Sequence, residues 1–318
     1  MHTAKTPMNR RAIPADAAET MWHAADGWPI RRIDWQASTP PRGSLLFLPG
    51  RGDHYEKYLE TLACYADAGW HVTAIDWRGQ GASGRLLDDP QVGHIDDFAT
   101  WIADLRTFWD AWKRETPAPH VVIAHSMGGQ LAMRALVEKA MDPDAVALSA
   151  PMLGIQTGGL PLALNHAVAK LIVALGKGKQ AAWKVSEKPL SPMSMRGKML
   201  THDDDRYEDE IAWWALRPEV KLGPPSWHWV ERAMASIRLL ERPGALEAVQ
   251  TPILLLATTA DQLVSTKRVI ADSKRLPHAE TLIFGKEAAH ELLREADGVR
   301  DQCLKRIDAF LDQHAPRP

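Results

Sequence analysis

A serine hydroxyl is a poor nucleophile until a neighbouring base takes its proton, so a catalytic serine has to be read together with its surroundings. The run Val121-Val122-Ile123-Ala124-His125-Ser126-Met127-Gly128-Gly129 offers such a setting. Apolar residues suited to a buried strand lead into Ser126, and a helical pattern over residues 130–140 follows it. A serine at a strand-to-helix turn of this kind is a nucleophile elbow. The turn is tight enough to demand small neighbours, which Ala124, Gly128 and Gly129 supply. It lifts the hydroxyl clear of the strands, and the first amides of the helix face the place where negative charge would develop. The usual pattern is Gly-x-Ser-x-Gly, and Ala124 is the mildest departure from it, a single methyl group. The competing reading, Ser126 as an ordinary helix N-cap, leaves the strand and the glycine pair unexplained.

The base should be a histidine, whose unperturbed pKa of about 6.5 lies close to working pH. The chain has 13 of them. Around such an elbow the partners follow in the order serine, acid, histidine, which selects His290. It comes after the apolar run Thr281-Leu282-Ile283-Phe284 and before a helix-like stretch over residues 291–295. His278 precedes that strand and His314 sits in the tail. The acid is expected at the end of the previous strand, where Asp261 follows Ile253-Leu254-Leu255-Leu256-Ala257. Its role would be to hold one ring nitrogen of His290 and fix the tautomer. An aspartate in a loop is just as commonly a turn residue, so position carries this choice. The backbone amides of Met127 and of Arg51, in the loop Pro49-Gly50-Arg51-Gly52-Asp53, are the candidate oxyanion donors. The embedded Arg-Gly-Asp tripeptide is discounted as chance.

These residues need a scaffold. Leu45-Leu46-Phe47-Leu48, Val72-Thr73-Ala74-Ile75, residues 121–124, residues 145–149, residues 253–256 and residues 281–284 read as strands. Continuous apolar runs suit parallel strands covered on both faces. Helical patterns lie between them at 55–68, 98–114, 128–140 and 299–311. Strand alternating with helix predicts an α/β fold with a mostly parallel central sheet. Residues 30–35 alternate and would form part of an antiparallel edge hairpin. The alternation breaks after Pro151, through an apolar helix-like run at 160–175 and an acidic run, Asp203-Asp204-Asp205, read as a solvated loop. The expected organisation is a core of residues 1–151 and 226–318 with a helical cap at 152–225, over the C-terminal edge of the sheet.

Bulk properties exclude several classes. The 318 residues are 45% hydrophobic and 25% charged, with a formal net charge of -2, so no global field points to nucleic acid. The two cysteines are too few for a disulfide framework or a cysteine-rich zinc site. No run reaches the about 20 apolar residues of a membrane span, and no apolar segment of a signal peptide opens the chain. The expectation is a cytoplasmic protein, in peripheral contact with the inner face of the membrane through its cap.

Beyond this reading of the residues, the sequence resembles the monoacylglycerol lipase and lysophospholipase branch of the α/β-hydrolases, and within it the bacterial lysophospholipase L2 group. The resemblance rests on Leu48-Pro49-Gly50-Arg51-Gly52-Asp53-His54-Tyr55-Glu56-Lys57-Tyr58, on Asp76-Trp77-Arg78-Gly79-Gln80-Gly81-Ala82-Ser83-Gly84-Arg85, on the elbow, on the Asp261 loop and on His290-Glu291-Leu292-Leu293. The stretch from Arg78 to Pro90 points most to the lysophospholipase L2 group. The resemblance implies the triad Ser126, Asp261 and His290, the oxyanion amides of Arg51 and Met127, and a helical cap. Two positions depart from many relatives, Pro49 where they carry histidine and Ala124 where they carry glycine. Arg78-Gly79-Gln80-Gly81 lacks the Gly-Lys-Ser/Thr of a phosphate loop and reads as a structural turn.

The leading expectation is a serine hydrolase of a lipid-like monoester, a lysophospholipid or monoacylglycerol, needing no cofactor and no metal. Apolar residues at 160–175 would mostly pack on the core, with an acyl groove or a lipid-facing surface as the alternatives. Other readings of the function are a proline-iminopeptidase-like peptidase, which needs acidic cap residues such as those at 203–205, a small-ester carboxylesterase, and a non-enzymatic ligand-binding relative.

Overall fold

In the computed structural model, which describes residues 8–37, 41–156, 160–183 and 195–317, alternate residues of the apolar strands feed opposite faces of one sheet. Its strands are β1 (Ala17–His23), β2 (Pro29–Trp35), β3 (Gly43–Leu48), β4 (Trp70–Ile75), β5 (His120–His125), β6 (Ala145–Ser149), β7 (Ile253–Thr258) and β8 (Ala279–Phe284). They form an eight-stranded sheet in the order β1-β2-β4-β3-β5-β6-β7-β8. From β4 through β8 all pairings are parallel, and the β1–β2 hairpin joins antiparallel to β4 at one edge. Strands β3, β5, β6 and β7 are buried along their whole length, which is why they read as continuous apolar runs.

A period of two divides their side chains between two cores. Leu46, Leu48, Val122, Ala124, Ile253 and Leu255 join one cluster, while Leu45, Phe47, Val121, Ile123, Leu254 and Leu256 join the other. Against the second cluster lie α1 (Leu59–Asp67) and α9 (Asp297–His314). The first takes α2 (Phe98–Glu115), α3 (Ser126–Val137), α7 (Trp227–Leu240) and α8 (Thr266–Ser273). Helix α2 carries Trp101, Phe108, Trp109 and Trp112 on its buried face. The expected α/β-hydrolase fold is therefore the observed one, and α8 is an addition that the sequence pattern did not single out.

Between β6 and α7 the chain forms α4 (Leu162–Ile172), a π-helical turn (Val173–Lys177), α5 (Met195–Leu200) and α6 (Asp204–Leu216). Residues 157–159 and 184–194 of the expected cap lie outside the described residues. Two expectations about this segment need correction. Asp203 does not belong to a loop but caps α6, its carboxylate accepting the amide of Arg206 at 2.8 Å, with Asp204 and Asp205 in the first turn. Acidic residues are stabilising there because the amides of a helix N-terminus are otherwise unsatisfied. The apolar residues of α4 do not mostly pack inward either. Leu164, Val168 and Leu171 are 51%, 48% and 61% exposed, and Leu160 and Leu175 beside them are also exposed. Only His166 and Ala169 of α4 are buried. The helix is held down by buried Ala169 and partly buried Leu162 against the core and by a polar contact, His166 Nε2 to Glu231 of α7 at 2.9 Å, rather than by its exposed leucines.

Candidate active site

The elbow is built as the sequence implies, with its cost visible in the backbone. Ser126 has φ +51°, a left-handed conformation that a non-glycine residue adopts only when its surroundings hold it, at a cost of about 1–3 kcal/mol. On one side β5 fixes it, and on the other its carbonyl accepts the amide of Met152, just past β6, at 2.9 Å. A Cβ at Gly128 would come within 2.4 Å of the carbonyl oxygens of Leu48 and Pro49. That close approach of α3 to the end of β3 explains why glycine must follow the serine.

Strand order brings the remaining partners to the same edge. His290 Nδ1 lies 2.7 Å from Asp261 Oδ2, and His290 Nε2 lies 3.0 Å from Ser126 Oγ. With ionised Asp261 accepting, the proton sits on Nδ1, which leaves the Nε2 lone pair facing the serine hydroxyl. Asp261 Oδ1 meanwhile accepts the amides of Leu263 and Val264 at 2.8 and 2.9 Å. Thus the turn residue and the acid are one carboxylate using its oxygens separately. Burial opposes ionisation of Asp261, but the charge and hydrogen bond of His290 and these amides outweigh it and lower its pKa. For His290, burial opposes the cation, yet Asp261, with Glu291 and Asp53 nearby, raises its pKa above the ordinary histidine value. His125 packs beside it with ring centroids 4.8 Å apart. Burial, and then the neighbouring His290, push His125 down to about 4, so this second histidine is neutral at working pH.

The backbone of His290 is gripped from the inserted segment. Its amide donates to the carbonyl of Met199 at 3.2 Å, and the amide of Glu291 donates to that of Leu200 at 2.7 Å. The end of α5 therefore helps set the position of the histidine.

The loop carrying Arg51 is braced from three directions. Gly50 N donates to Asp53 Oδ2 at 3.0 Å, Gly52 N donates to Gln80 Oε1 at 2.6 Å, and Trp77 Nε1 donates to the carbonyl of Pro49 at 2.8 Å. Gly50 leaves little room for a side chain, since a Cβ there would meet Asp53 Oδ2 at 2.8 Å, His125 Cδ2 at 3.0 Å and Ser126 Cβ at 3.1 Å. Asp53 in turn binds Lys57, whose ammonium also reaches Glu291 at 2.8 Å and Glu210 of α6 at 3.3 Å. All four groups are buried. Burial disfavours the Lys57 cation, but these carboxylates overcome it and raise its pKa to about 12. Asp53, Glu210 and Glu291 are held below the usual carboxylate range by their cationic partners against the same desolvation. Lys57 thus ties the loop of Arg51, the loop of His290 and the inserted helix α6 into one buried ionic cluster.

Ser126 and His290 open on a cavity of about 520 Å³. Its wall mixes apolar side chains, among them Met152, Ile155, Trp227, Trp229, Val230 and Met234, with polar ones, among them Arg51, Asp53, Gln156, Asn165, Arg196 and Gln262. Val168 of α4 and Met199 of α5 also reach it. The sequence reading placed Ser126, Asp261, His290, Arg51 and Met127 in this neighbourhood, and the structure brings the first three into hydrogen-bonding line. It missed the supporting roles of Asp53, Lys57, Trp77, Gln80 and Glu291. All of these lie within a few residues of a candidate site residue or a strand end, which is the signal that could have found them. The turn at Arg78-Gly79-Gln80-Gly81 is structural: Arg78 is paired with Asp104 and Asp26 at 2.7 Å.

Comparison with known proteins fits this geometry. Residues 39–297 match the family model Hydrolase_4, described as serine aminopeptidase S33. The chain is 31% identical to lysophospholipase L2 of Escherichia coli K12 over 93% of this chain and 88% of that protein. A monoacylglycerol lipase of Mycolicibacterium smegmatis is 30% identical over 45% of this chain and 49% of its own. Among solved structures, a soluble variant of monoglyceride lipase from Saccharomyces cerevisiae superimposes with a TM-score of 0.73 at 16% identity, covering 98% of this chain and all of that one (100%).

Proposed function

This chain belongs to the α/β-hydrolase family described as serine aminopeptidase S33, and from that premise we propose that it hydrolyses the carboxylic ester of a single-chain lipid, a lysophospholipid or a monoacylglycerol. The observation that carries the reading is the Asp261–His290–Ser126 line opening on a cavity of about 520 Å³ with a large share of apolar side chains in its wall. An apolar wall gains about 0.8 kcal/mol per buried CH₂, which suits one acyl chain with its ester at the serine.

In the mechanism, Ser126 Oγ attacks the ester carbonyl as His290 Nε2 takes its proton, and Asp261 stabilises the imidazolium. The amides of Met127 and Arg51 are the donors for the tetrahedral oxyanion, each worth about 10²–10³ in rate. Collapse expels the alcohol, which takes the proton from His290 and leaves acyl-Ser126. Water, deprotonated by His290, then attacks the acyl carbon and releases the fatty acid and the free serine.

Residues 152–225 are assigned the role of a cap. The exposed leucines of α4, with exposed Trp183 at 42% and the exposed Lys170, Lys177 and Lys179 nearby, favour peripheral contact with a lipid surface. No described helix is long and apolar enough to cross a membrane. The family description also raises an aminopeptidase reading, which requires a carboxylate to receive a substrate amine. Against it stand the commitments of the acidic groups: Asp203 caps α6 and pairs with Arg206. Asp53 and Glu291 at the cavity are both bound to Lys57.

A fluorophosphonate probe is expected to label wild-type protein and not Ser126→Ala. Lysophospholipid and monoacylglycerol panels should then give free fatty acid, with turnover far exceeding that on prolyl anilides. A preference for the anilide would reject the lipid reading, and labelling that survives in Ser126→Ala would reject the nucleophile.

A further inference from the structure

Away from the triad, His94, Asp96 and His228 bring their donor atoms within 4.8 Å of one another. His94 and Asp96 lie two residues apart in the loop before α2. His228 is the second residue of α7. The side chains converge on Asp96 Oδ1, which lies 3.1 Å from His94 Nε2 and 3.6 Å from His228 Nδ1. Donors around a tetrahedral zinc are about 3.3 Å apart, given bonds of about 2.0–2.1 Å; the two separations from Asp96 stand near that spacing, and the full set lies within 4.8 Å, close enough for small side-chain adjustments to bring both rings onto one ion.

The site is fixed by the backbone more than by the side chains. Gly93 N donates to the carbonyl of Pro224 at 2.9 Å, and Ser226 N donates to that of Gly93 at 2.8 Å. His228 N donates to the carbonyl of Gly178, in the inserted segment, at 2.8 Å. The other nitrogen of His94, Nδ1, lies 2.8 Å from Ser226 Oγ. A hydroxyl serves as donor or acceptor, so His94 can place its proton on Nδ1 and release the Nε2 lone pair without turning its ring. An outer hydrogen bond of this kind fixes the tautomer and ring orientation of a metal-bound histidine, here with a hydroxyl in the place usually taken by a carboxylate, a carbonyl or water.

We propose that His94 Nε2, Asp96 Oδ1 and His228 Nδ1 form a binding site for a divalent zinc-class ion, with the remaining coordination positions open to water. Two imidazoles and one carboxylate select zinc, cobalt or nickel over calcium or magnesium, which favour oxygen ligands. The site is structural: it pins the stretch before α2 to the first turn of α7, whose Trp227 and Trp229 line the catalytic cavity. It neither contains nor requires a triad residue, so its failure would leave the hydrolase reading untouched.

The test is a calorimetric titration of chelator-treated protein with zinc chloride, paired with thermal melts. Wild type should bind one zinc per chain and rise in Tm by about 5 °C at a hundredfold excess over Kd. Calcium and magnesium should give no shift. His228→Ala and Asp96→Ala should each weaken zinc binding at least tenfold while retaining wild-type Tm and ester hydrolysis in the absence of metal. No saturable binding to wild type would overturn the proposal. So would undiminished binding to His228→Ala, which would place the ion elsewhere, for example on His290.

Discussion

The elbow and helix α4 face the same cavity and are built on opposite principles. Around Ser126 the neighbours are closely set: a strained residue is clamped between strands, Gly128 has no room for a Cβ and Gly50 little, and Lys57 and its buried carboxylates hold the loops of Arg51 and His290. Helix α4 contributes Val168 to the cavity but turns Leu164 and Leu171 to the outside, and it is anchored by little more than buried His166 and Ala169. Chemistry needs positions held within fractions of an ångström. An acyl chain needs only apolar surface, which is non-directional and tolerates movement. The difference teaches which substitutions should act on turnover, which on stability and which on the lipid alone.

The largest effect is expected at the fixed end. Ser126→Ala and His290→Ala should each lower kcat by about 10⁵–10⁶-fold, and the double variant little further, because triad members act as a unit; stopped assays on a monoacylglycerol would measure it. Loss of under tenfold in either variant would show that the clamped geometry is not the catalytic one. Next comes Lys57→Met, which leaves Asp53, Glu210 and Glu291 buried without their shared cation. Removal of one partner from such a cluster costs about 3–5 kcal/mol, to be read by urea unfolding. A loss below about 1 kcal/mol would mean that water reaches the cluster.

The exposed helix gives the reverse signature. Leu171→Glu with Leu175→Glu should leave Tm and hydrolysis of a dispersed short-chain ester unchanged, while lowering turnover of substrate presented in vesicles by about tenfold, since burying each leucine is worth about 1.5–3 kcal/mol at most. Equal losses on both substrates would erase the contrast between the regions. The smallest effect is a pH shift. His290 must be neutral to act as base, and its pKa is raised, so kcat/KM should fall as pH drops through a value above about 6.5. Glu291→Gln removes a negative charge that favours the imidazolium, so the acid limb should move to lower pH; an unmoved limb would detach Glu291 from the histidine.

Legibility followed the same division. The central strands were readable because a strand buried on both faces must be apolar throughout, and Leu45 through Leu48 could satisfy nothing else. Asp261 and His290 were readable because a parallel sheet delivers the ends of β7 and β8 to the edge where β5 presents Ser126. Asp203 was misread because an aspartate run has the same composition in a loop as at a helix start; the difference is one hydrogen bond to Arg206. The leucines of α4 were misread because periodicity marks an apolar face without saying what covers it. Lys57 and Gln80 stood in plain view, but a lysine on a helix is ordinarily solvated, and only packing revealed it as buried.

The sequence by itself determined the strand–turn–helix at Ser126, the strand ends that carry Asp261 and His290 and the sheet that aligns them, since local chain stiffness and hydrophobic period dictate those. The tertiary structure alone decided that Lys57 joins loops separated by more than two hundred residues, that α5 holds the backbone of His290, and that Leu164 and Leu171 of α4 face outward. These depend on which surfaces remain uncovered once the core has closed, and no local pattern of residues encodes that.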